Sequence, residues 1–170
     1  VRVAIVGNSG SGKSTLARSL AVAHGLAHLD LDSLAWEPGQ IAVARDPVIA
    51  AADVAAFCRA HARWVVEGCY AELVRAALFA TPLLVFLEPG VEACRAHCRA
   101  RPWEPHKYPS REEQDRRLPF LLSWVEAYYQ REGDLSLRAH QALFDGYEGP
   151  KQQVADPAII RWPAGGPAAR

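Results

Sequence analysis

No stretch of this sequence is a long apolar run, which excludes a membrane-spanning helix, since that needs about 20 such residues. The chain leads from its first residue into a short apolar strand with no room for a signal peptide, so the expected compartment is the cytoplasm. Neither sign of charge is in excess: 19 basic and 19 acidic residues give a formal net charge of zero. That removes the global field expected of a protein built to bind nucleic acid or an anionic membrane. Cysteine is sparse, and Cys58, Cys69, Cys94 and Cys98 contain no CxxC pair. They read as reduced, mostly buried thiols. Cys94 and Cys98 lie one helical turn apart with His97 between them, but structural zinc sites are usually built from closer, repeated pairs. Lysine is limited to Lys13, Lys107 and Lys151 in a chain rich in arginine. No internal repeat is found.

What is present is ordinary for a globular protein. A chain of 170 residues, half of them apolar, suits one domain with a sizeable core. The informative stretch is Gly7-Asn8-Ser9-Gly10-Ser11-Gly12-Lys13-Ser14, which fits the phosphate-binding pattern G-x-x-x-x-G-K-[ST] at every fixed position. Val1, Val3, Ala4, Ile5 and Val6 before it read as a strand buried on both faces. After it, Leu16 and Leu20 lie one turn apart on a helix that Gly25 ends. Glycines let the backbone curl around a polyphosphate, and the helix adds its unpaired N–H groups and positive dipole end. Lys13 is placed for the β- and γ-phosphates and the Ser14 hydroxyl for Mg²⁺, so ATP and Mg²⁺ are the expected cofactors.

Further along, His28-Leu29-Asp30-Leu31-Asp32 reads as a second strand ending in two acids. Alternation puts Asp30 and Asp32 on one side if the chain stays extended. Both then fall beyond the carboxyl ends of the strands, where ligands of parallel α/β sheets collect. Such acids hold Mg²⁺ or orient an acceptor hydroxyl; a helix N-cap is the plain alternative. Trp36-Glu37-Pro38-Gly39-Gln40 is a loop. Asp46 and Pro47 open a helix that runs to about His61, with Val48, Ala52, Ala55 and Cys58 or Arg59 as one face. Arg63-Trp64-Val65-Val66-Glu67-Gly68 is a third strand, its Glu67 suited to ordering the water shell of a metal. Tyr70 to Phe79 is helical, and Leu83 to Leu87 is a fourth buried strand.

A helix from Val91 stops at Pro102. Its Arg95, Arg99 and Arg101 begin a basic cluster continued by Lys107, Arg111, Arg116 and Arg117. Arginines on a mobile segment clamp transferring phosphoryl groups; a solvated, ion-paired helix face is the alternative. Residues 102–109 hold three prolines and read as a hinge, and the segment 102–133 is expected to move on ligand binding. Ser110 opens a helix with Glu113 at the capping-box position, which Pro119 breaks or kinks. Beyond Pro119, Phe120, Leu121, Trp124, Val125 and Tyr128 form its apolar face. A shorter helix from about Ser136 ends at Gly146, and Ile159-Ile160-Arg161-Trp162 reads as a fifth strand before a frayed tail. The expected fold is thus a three-layer α/β P-loop NTPase fold with a parallel sheet of four or five strands. It divides into a core at 1–101, a helical lid insertion at 102–153, and a last strand and tail at 154–170.

The P-loop, "HLDLD" after the first helix, "WVVEG" at the third strand and the arginine-rich segment after the fourth resemble the nucleoside-monophosphate-kinase-like P-loop kinases. "HLDLDSLAW" and "WVVEGCY" are most similar to shikimate and gluconate kinases and to the adenylate-kinase-like DNA-topology-modulation proteins. The resemblance covers residues 1–101 and not 103–151. It implies that Gly10 to Thr15 hold the ATP phosphates and Mg²⁺, and that Asp30 is a metal-side acid. It makes Asp32 the contact of the acceptor hydroxyl, sets Glu67 and Gly68 in the acceptor pocket, and gives Arg99 or Arg101 the lid role. Gly68-Cys69-Tyr70 stands where shikimate kinases carry a glycine run, which argues against shikimate. Cys69-Tyr70-Ala71 replaces the aromatic-Pro-Arg of monophosphate kinases, which argues against AMP. Three functions stay open: a small-molecule hydroxyl kinase, a monophosphate kinase, and a nucleotide-binding regulatory protein with a protein partner on the helical insertion.

Overall fold

The computed structural model describes residues 1–38, 43–105 and 107–162. Gly39 and Gln40 of the expected loop, His106 of the hinge and the tail from Pro163 lie outside the described residues.

Five parallel strands form one sheet: β1 (Arg2–Gly7), β2 (Ala27–Asp30), β3 (Trp64–Gly68), β4 (Leu83–Leu87) and β5 (Lys151–Val154), in the order β2-β3-β1-β4-β5. The central strands are apolar on both faces because both are covered. On one side, Ala4, Val6, Val66, Leu84 and Phe86 pack against Val54 and Cys58 of α3 (Pro47–Ala60), Val74 of α4 (Ala71–Arg75) and Leu143 of α7 (Leu137–Gly146). On the other, Val3, Ile5, Val65 and Val85 meet Ala17 and Leu20 of α1 (Lys13–His24) and, beyond the last strand, Ile160. This is the expected three-layer arrangement. With β1 flanked by β3 and β4, the P-loop leaves the sheet where connections depart to opposite sides, the place where such sheets open a crevice.

Local signals match several expected boundaries. Gly25 is left-handed (φ 60°) and its N–H closes on the Ala21 carbonyl, ending α1. The Asp46 carboxylate caps α3 by accepting from the N–H groups of Val48 and Ile49, with Pro47 in the first turn. Ser110 caps α6 (Arg111–Ala127) through the N–H of Glu113.

Other expectations need correction. The fifth strand is Lys151–Val154, inside the stretch assigned to the insertion, whereas Pro157–Ile159 form a 3-10 turn. Its Lys-Gln-Gln-Val sequence has no apolar signal because the strand lies at the sheet edge, half exposed. The buried stripe of α3 is Ala50, Val54 and Cys58, while Val48 is 77% exposed. A helix this rich in alanine offers little contrast from which to pick a face. Pro119 does not end α6, which runs on through it. The hydrogen bond it cannot make would have used the carbonyl of Asp115; both residues are exposed, so the loss costs less there than in the core. Phe120 is 74% exposed, and the inward face is Leu118, Leu121, Leu122 and Val125, packed on Cys94 and Cys98 of α5 (Val91–Ala100).

Candidate active site

The P-loop follows β1, and its glycines are required by geometry at two points. A side chain at Gly10 would place its Cβ 2.4 Å from the carbonyl oxygen of Cys94, at a backbone φ of +78°. A side chain at Gly7 would place its Cβ 2.4 Å from the carbonyl oxygen of Leu87. The loop is therefore wedged between the end of β4 and helix α5. His97 reinforces the second contact, its Nδ1 lying 2.7 Å from the Gly10 carbonyl; the carbonyl only accepts, so Nδ1 carries the proton. Asn8 and Ser11 are buried. The Asn8 side chain accepts from the N–H of Ser9 (2.8 Å) and donates to the carbonyl of Val125 (3.0 Å). That carbonyl is one of the four at the end of α6 without an intrahelical partner, so Asn8 caps α6 while it shapes the loop. Lys13 is buried and donates to the Asn8 carbonyl at 2.8 Å, which folds its ammonium over the loop. Ser14 and Thr15 lie in the first turn of α1.

The two acids of "HLDLD" do not lie on one extended strand. The chain turns after Asp30 into the short helix α2 (Asp32–Ala35), and the Asp30 carboxylate accepts the N–H of Asp32 at 2.9 Å. Asp30 is thus both a local cap and a sheet-end acid, beside Glu67 in the β2–β3 register. Burial, and then the charges of Glu67 and Asp32, push the Asp30 carboxyl above the usual carboxylate range. Glu67 is 2% exposed, and its Oε1 makes no hydrogen bond; His28 Nε2 stands 3.7 Å away. Gly68 ends β3, where a Cβ would press on Leu31.

Asp32 faces outward, its side chain about half exposed. The hydroxyl of Tyr70 donates to its Oδ1 at 2.8 Å, and Trp36 Nε1 donates to the Tyr70 oxygen at 3.2 Å. The ammonium of Lys107 stands 3.5 Å from Oδ2. Sequence reasoning missed Tyr70, Trp36 and Lys107 as partners of Asp32. The only signals were that Tyr70 breaks the family pattern after "hhhEG" and that lysine is scarce.

Of the basic cluster, Arg95 pairs with Glu126, Arg111 with Asp115, and Arg116 and Arg117 with Glu113, as a solvated helix face would. Arg101 stands 3.8 Å from Glu104. Among the described residues Arg99 has no carboxylate within ion-pair distance. Arg99 and Arg101 line a cleft with Tyr108 and Arg117, between α5 and the start of α6. The cleft begins at Cys98, whose sulfur would sit 2.8 Å from a Cβ on Gly10.

These residues fit a nucleotide with its dication. The donors are hard oxygens, from Ser14, Asp30 and Glu67, the set that suits Mg²⁺ rather than a softer metal. Among the described residues no three His, Cys, Asp or Glu side chains group around a metal position. A Mg²⁺ held by one or two protein oxygens plus phosphate and water needs no such cage. His97 is engaged with the Gly10 carbonyl, and Cys94 and Cys98 are buried against Leu118, Leu121, Leu122 and Val125. Burial pushes the Cys58 and Cys94 thiols up to about 11 and about 12, the behaviour of inert, reduced cysteines.

No protein-family model matches the chain, and no curated protein matches it. Solved structures do. A sugar kinase from Janibacter sp. HTCC2649 superposes with a TM-score of 0.51 at 15% identity, over 92% of this chain and 86% of that one. A protein from Chloroflexus aurantiacus J-10-fl superposes with a TM-score of 0.52 at 16% identity, over 95% and 91%. At such identities the likeness shows the fold alone: the chain has a three-layer α/β P-loop fold.

Proposed function

We propose that the protein is an ATP-dependent phosphotransferase that moves the γ-phosphoryl group to a hydroxyl of a small molecule. The observation that carries this reading is the half-exposed Asp32 carboxylate, held by the Tyr70 hydroxyl on one oxygen and facing only the ammonium of Lys107, at 3.5 Å, on the other among the described residues. A phosphate acceptor, as in a monophosphate kinase, would want cations at that position; a hydroxyl wants a carboxylate. The P-loop glycines, Ser11 and Lys13 bind the triphosphate, and Mg²⁺, held from Ser14 and the Asp30 side, supplies charge neutralisation of the phosphates. Asp32 takes the proton of the acceptor hydroxyl as its oxygen bonds to the γ-phosphorus, and the bond to the β-phosphate oxygen breaks to release ADP. Arg99 and Arg101, at the head of the hinge, serve the developing charge.

The supporting experiment is thermal stability with Mg²⁺ and a non-hydrolysable ATP analogue, on wild type and Asp30→Asn. Because the folded Asp30 carboxyl is raised, the native state holds that proton more tightly than the unfolded chain does. Stability contributed there falls as pH climbs from the ordinary carboxylate range through the raised value, so the ionised group is a net cost at pH 7. Asp30→Asn is therefore expected to raise the midpoint of the ligand-free protein at pH 7 and to shrink the Mg²⁺-dependent part of the analogue's stabilisation. A variant stabilised by Mg²⁺ and analogue as much as wild type would remove Asp30 from the metal side.

We expect the moving segment to be shorter than 102–133. Val125 and Tyr128 are fully buried, and Asn8 ties α6 to the P-loop. Tyr128 donates to His140 Nδ1 (2.7 Å), while His140 Nε2 donates to the Cys69 carbonyl (2.7 Å); desolvation lowers His140 to about 4, so it stays neutral. Hydrogen exchange is expected to slow on analogue binding over 102–117 and to stay unchanged over 121–128. Equal slowing in both would restore the longer lid.

A further inference from the structure

Asp32 is the one acid of the site whose two oxygens have partners of different kinds. Oδ1 accepts from the Tyr70 hydroxyl at 2.8 Å, a hydrogen bond of good length. Among the described residues Oδ2 makes no hydrogen bond and has only the Lys107 ammonium at 3.5 Å, which Glu104 also attracts at 3.8 Å. The two partners are supported differently as well. Tyr70 leads into α4 directly after β3, and Trp36 donates to its oxygen at 3.2 Å; Trp36 itself is tied by a β-bridge to Ala44. Lys107 belongs to the proline-rich hinge and is held by ion pairs that are loose in geometry. Since Trp36 Nε1 only donates, the Tyr70 oxygen accepts from it and directs its own proton at Asp32.

We infer that Tyr70, backed by Trp36, is a positioning residue that fixes the Asp32 carboxylate by Oδ1, leaving Oδ2 as the oxygen that receives the acceptor hydroxyl once Lys107 moves aside. The inference rests on the hydroxyl-kinase reading and deepens it. A carboxylate anchored by one oxygen cannot rotate between two half-productive orientations, so its remaining lone pairs point one way before the acceptor arrives. Burial, and next the Asp32 charge, raise the Tyr70 phenol well above its ordinary value, so it stays a proton donor across the whole working pH range. Lys107 lies on the segment that follows Arg99 and Arg101 at the end of α5, so its departure and their approach to the phosphates would be one movement. A base is thereby uncovered by the same movement that brings cations over the phosphates.

The test is Tyr70→Phe, read in two ways. First, [γ-³²P]ATP is offered with D-gluconate, shikimate, glycerol and AMP as probe acceptors, and transfer is measured for wild type, Tyr70→Phe, Asp32→Asn and the double variant. Transfer is expected to fall about 10- to 100-fold in Tyr70→Phe with the KM for ATP unchanged, the size of effect that a small misplacement of a catalytic group produces. In the Asp32→Asn background the same change is expected to cost less than about 2-fold, because a residue acting through Asp32 has nothing left to position. A merely structural role would cost the same in both backgrounds. Second, in protein labelled with ¹³C at the aspartate carboxyls, the Asp32 resonance, assigned by its loss in Asp32→Asn, is expected to shift in Tyr70→Phe and to stay put in Tyr129→Phe. Wild type that labels none of the probes would remove the proposed function and with it any role of Tyr70 in transfer. Full transfer by Tyr70→Phe, or an unmoved Asp32 resonance, would remove the role of Tyr70 alone and leave the function standing.

Discussion

Lys13→Ala is expected to cut ATP turnover by two to three orders of magnitude while leaving the fold intact. The buried ammonium lies over the loop on the Asn8 carbonyl, at 2.8 Å, a contact any phosphate would outbid. In a site where donors aim at charge that builds up during transfer, losing one is worth roughly 2.7–4 kcal/mol of transition-state stabilisation. Alanine removes the charge without leaving a buried polar group stranded, since the Asn8 carbonyl also accepts from the N–H of Ser11 at 3.2 Å. A thermal midpoint near that of wild type, together with the collapse in turnover, separates loss of chemistry from loss of structure. Turnover equal to wild type would mean that the P-loop is not the catalytic centre.

Asp32→Asn is expected to have the larger and more selective effect. The substitution keeps the shape and can still accept from Tyr70, but it loses the negative charge and nearly all basicity. Transfer to a hydroxyl is expected to fall by about 10²- to 10⁴-fold, the range for a positioned general base. Affinity for the ATP analogue with Mg²⁺ should barely change in calorimetric titration. Among the described residues the Asp32 side chain meets Tyr70 and Lys107 and makes no hydrogen bond to the P-loop. If Asp32→Asn weakened analogue binding as much as Asp30→Asn does, both acids would belong to one metal site. The general-base assignment would then lose its support.

Which parts of this were legible in the sequence follows from how local each signal is. The P-loop, the three apolar strands β1, β3 and β4 and the caps at Asp46, Ser110 and Gly25 are set by residues within one turn of where they act, and each lies where its local pattern puts it. The edge strand was misplaced because Lys151-Gln152-Gln153-Val154 becomes a strand only by pairing with β4, a partner more than 60 residues away. Asp30 and Asp32 were rightly grouped but for the wrong reason. An extended strand would aim them alike, whereas the turn into α2 makes Asp30 cap Asp32 and sends Asp32 outward to Tyr70. Of the break or kink expected at Pro119, the break does not occur; the carbonyl left without its helical partner belongs to an exposed stretch, where the penalty is smallest. Nothing in local sequence announces that Asn8 would cap a helix 117 residues further on, and that contact is the reason a shorter moving segment is expected.

The central claim is transfer to a hydroxyl rather than binding or slow hydrolysis, and ³¹P NMR of the wild type turning over Mg·ATP with a mixture of small polyhydroxy acids and alcohols tests it most directly. The account predicts that ADP grows in step with a new phosphate monoester resonance, and that inorganic phosphate stays minor. ADP accompanied by inorganic phosphate alone, at a rate indifferent to the added hydroxyl compounds and to Asp32→Asn, would contradict it.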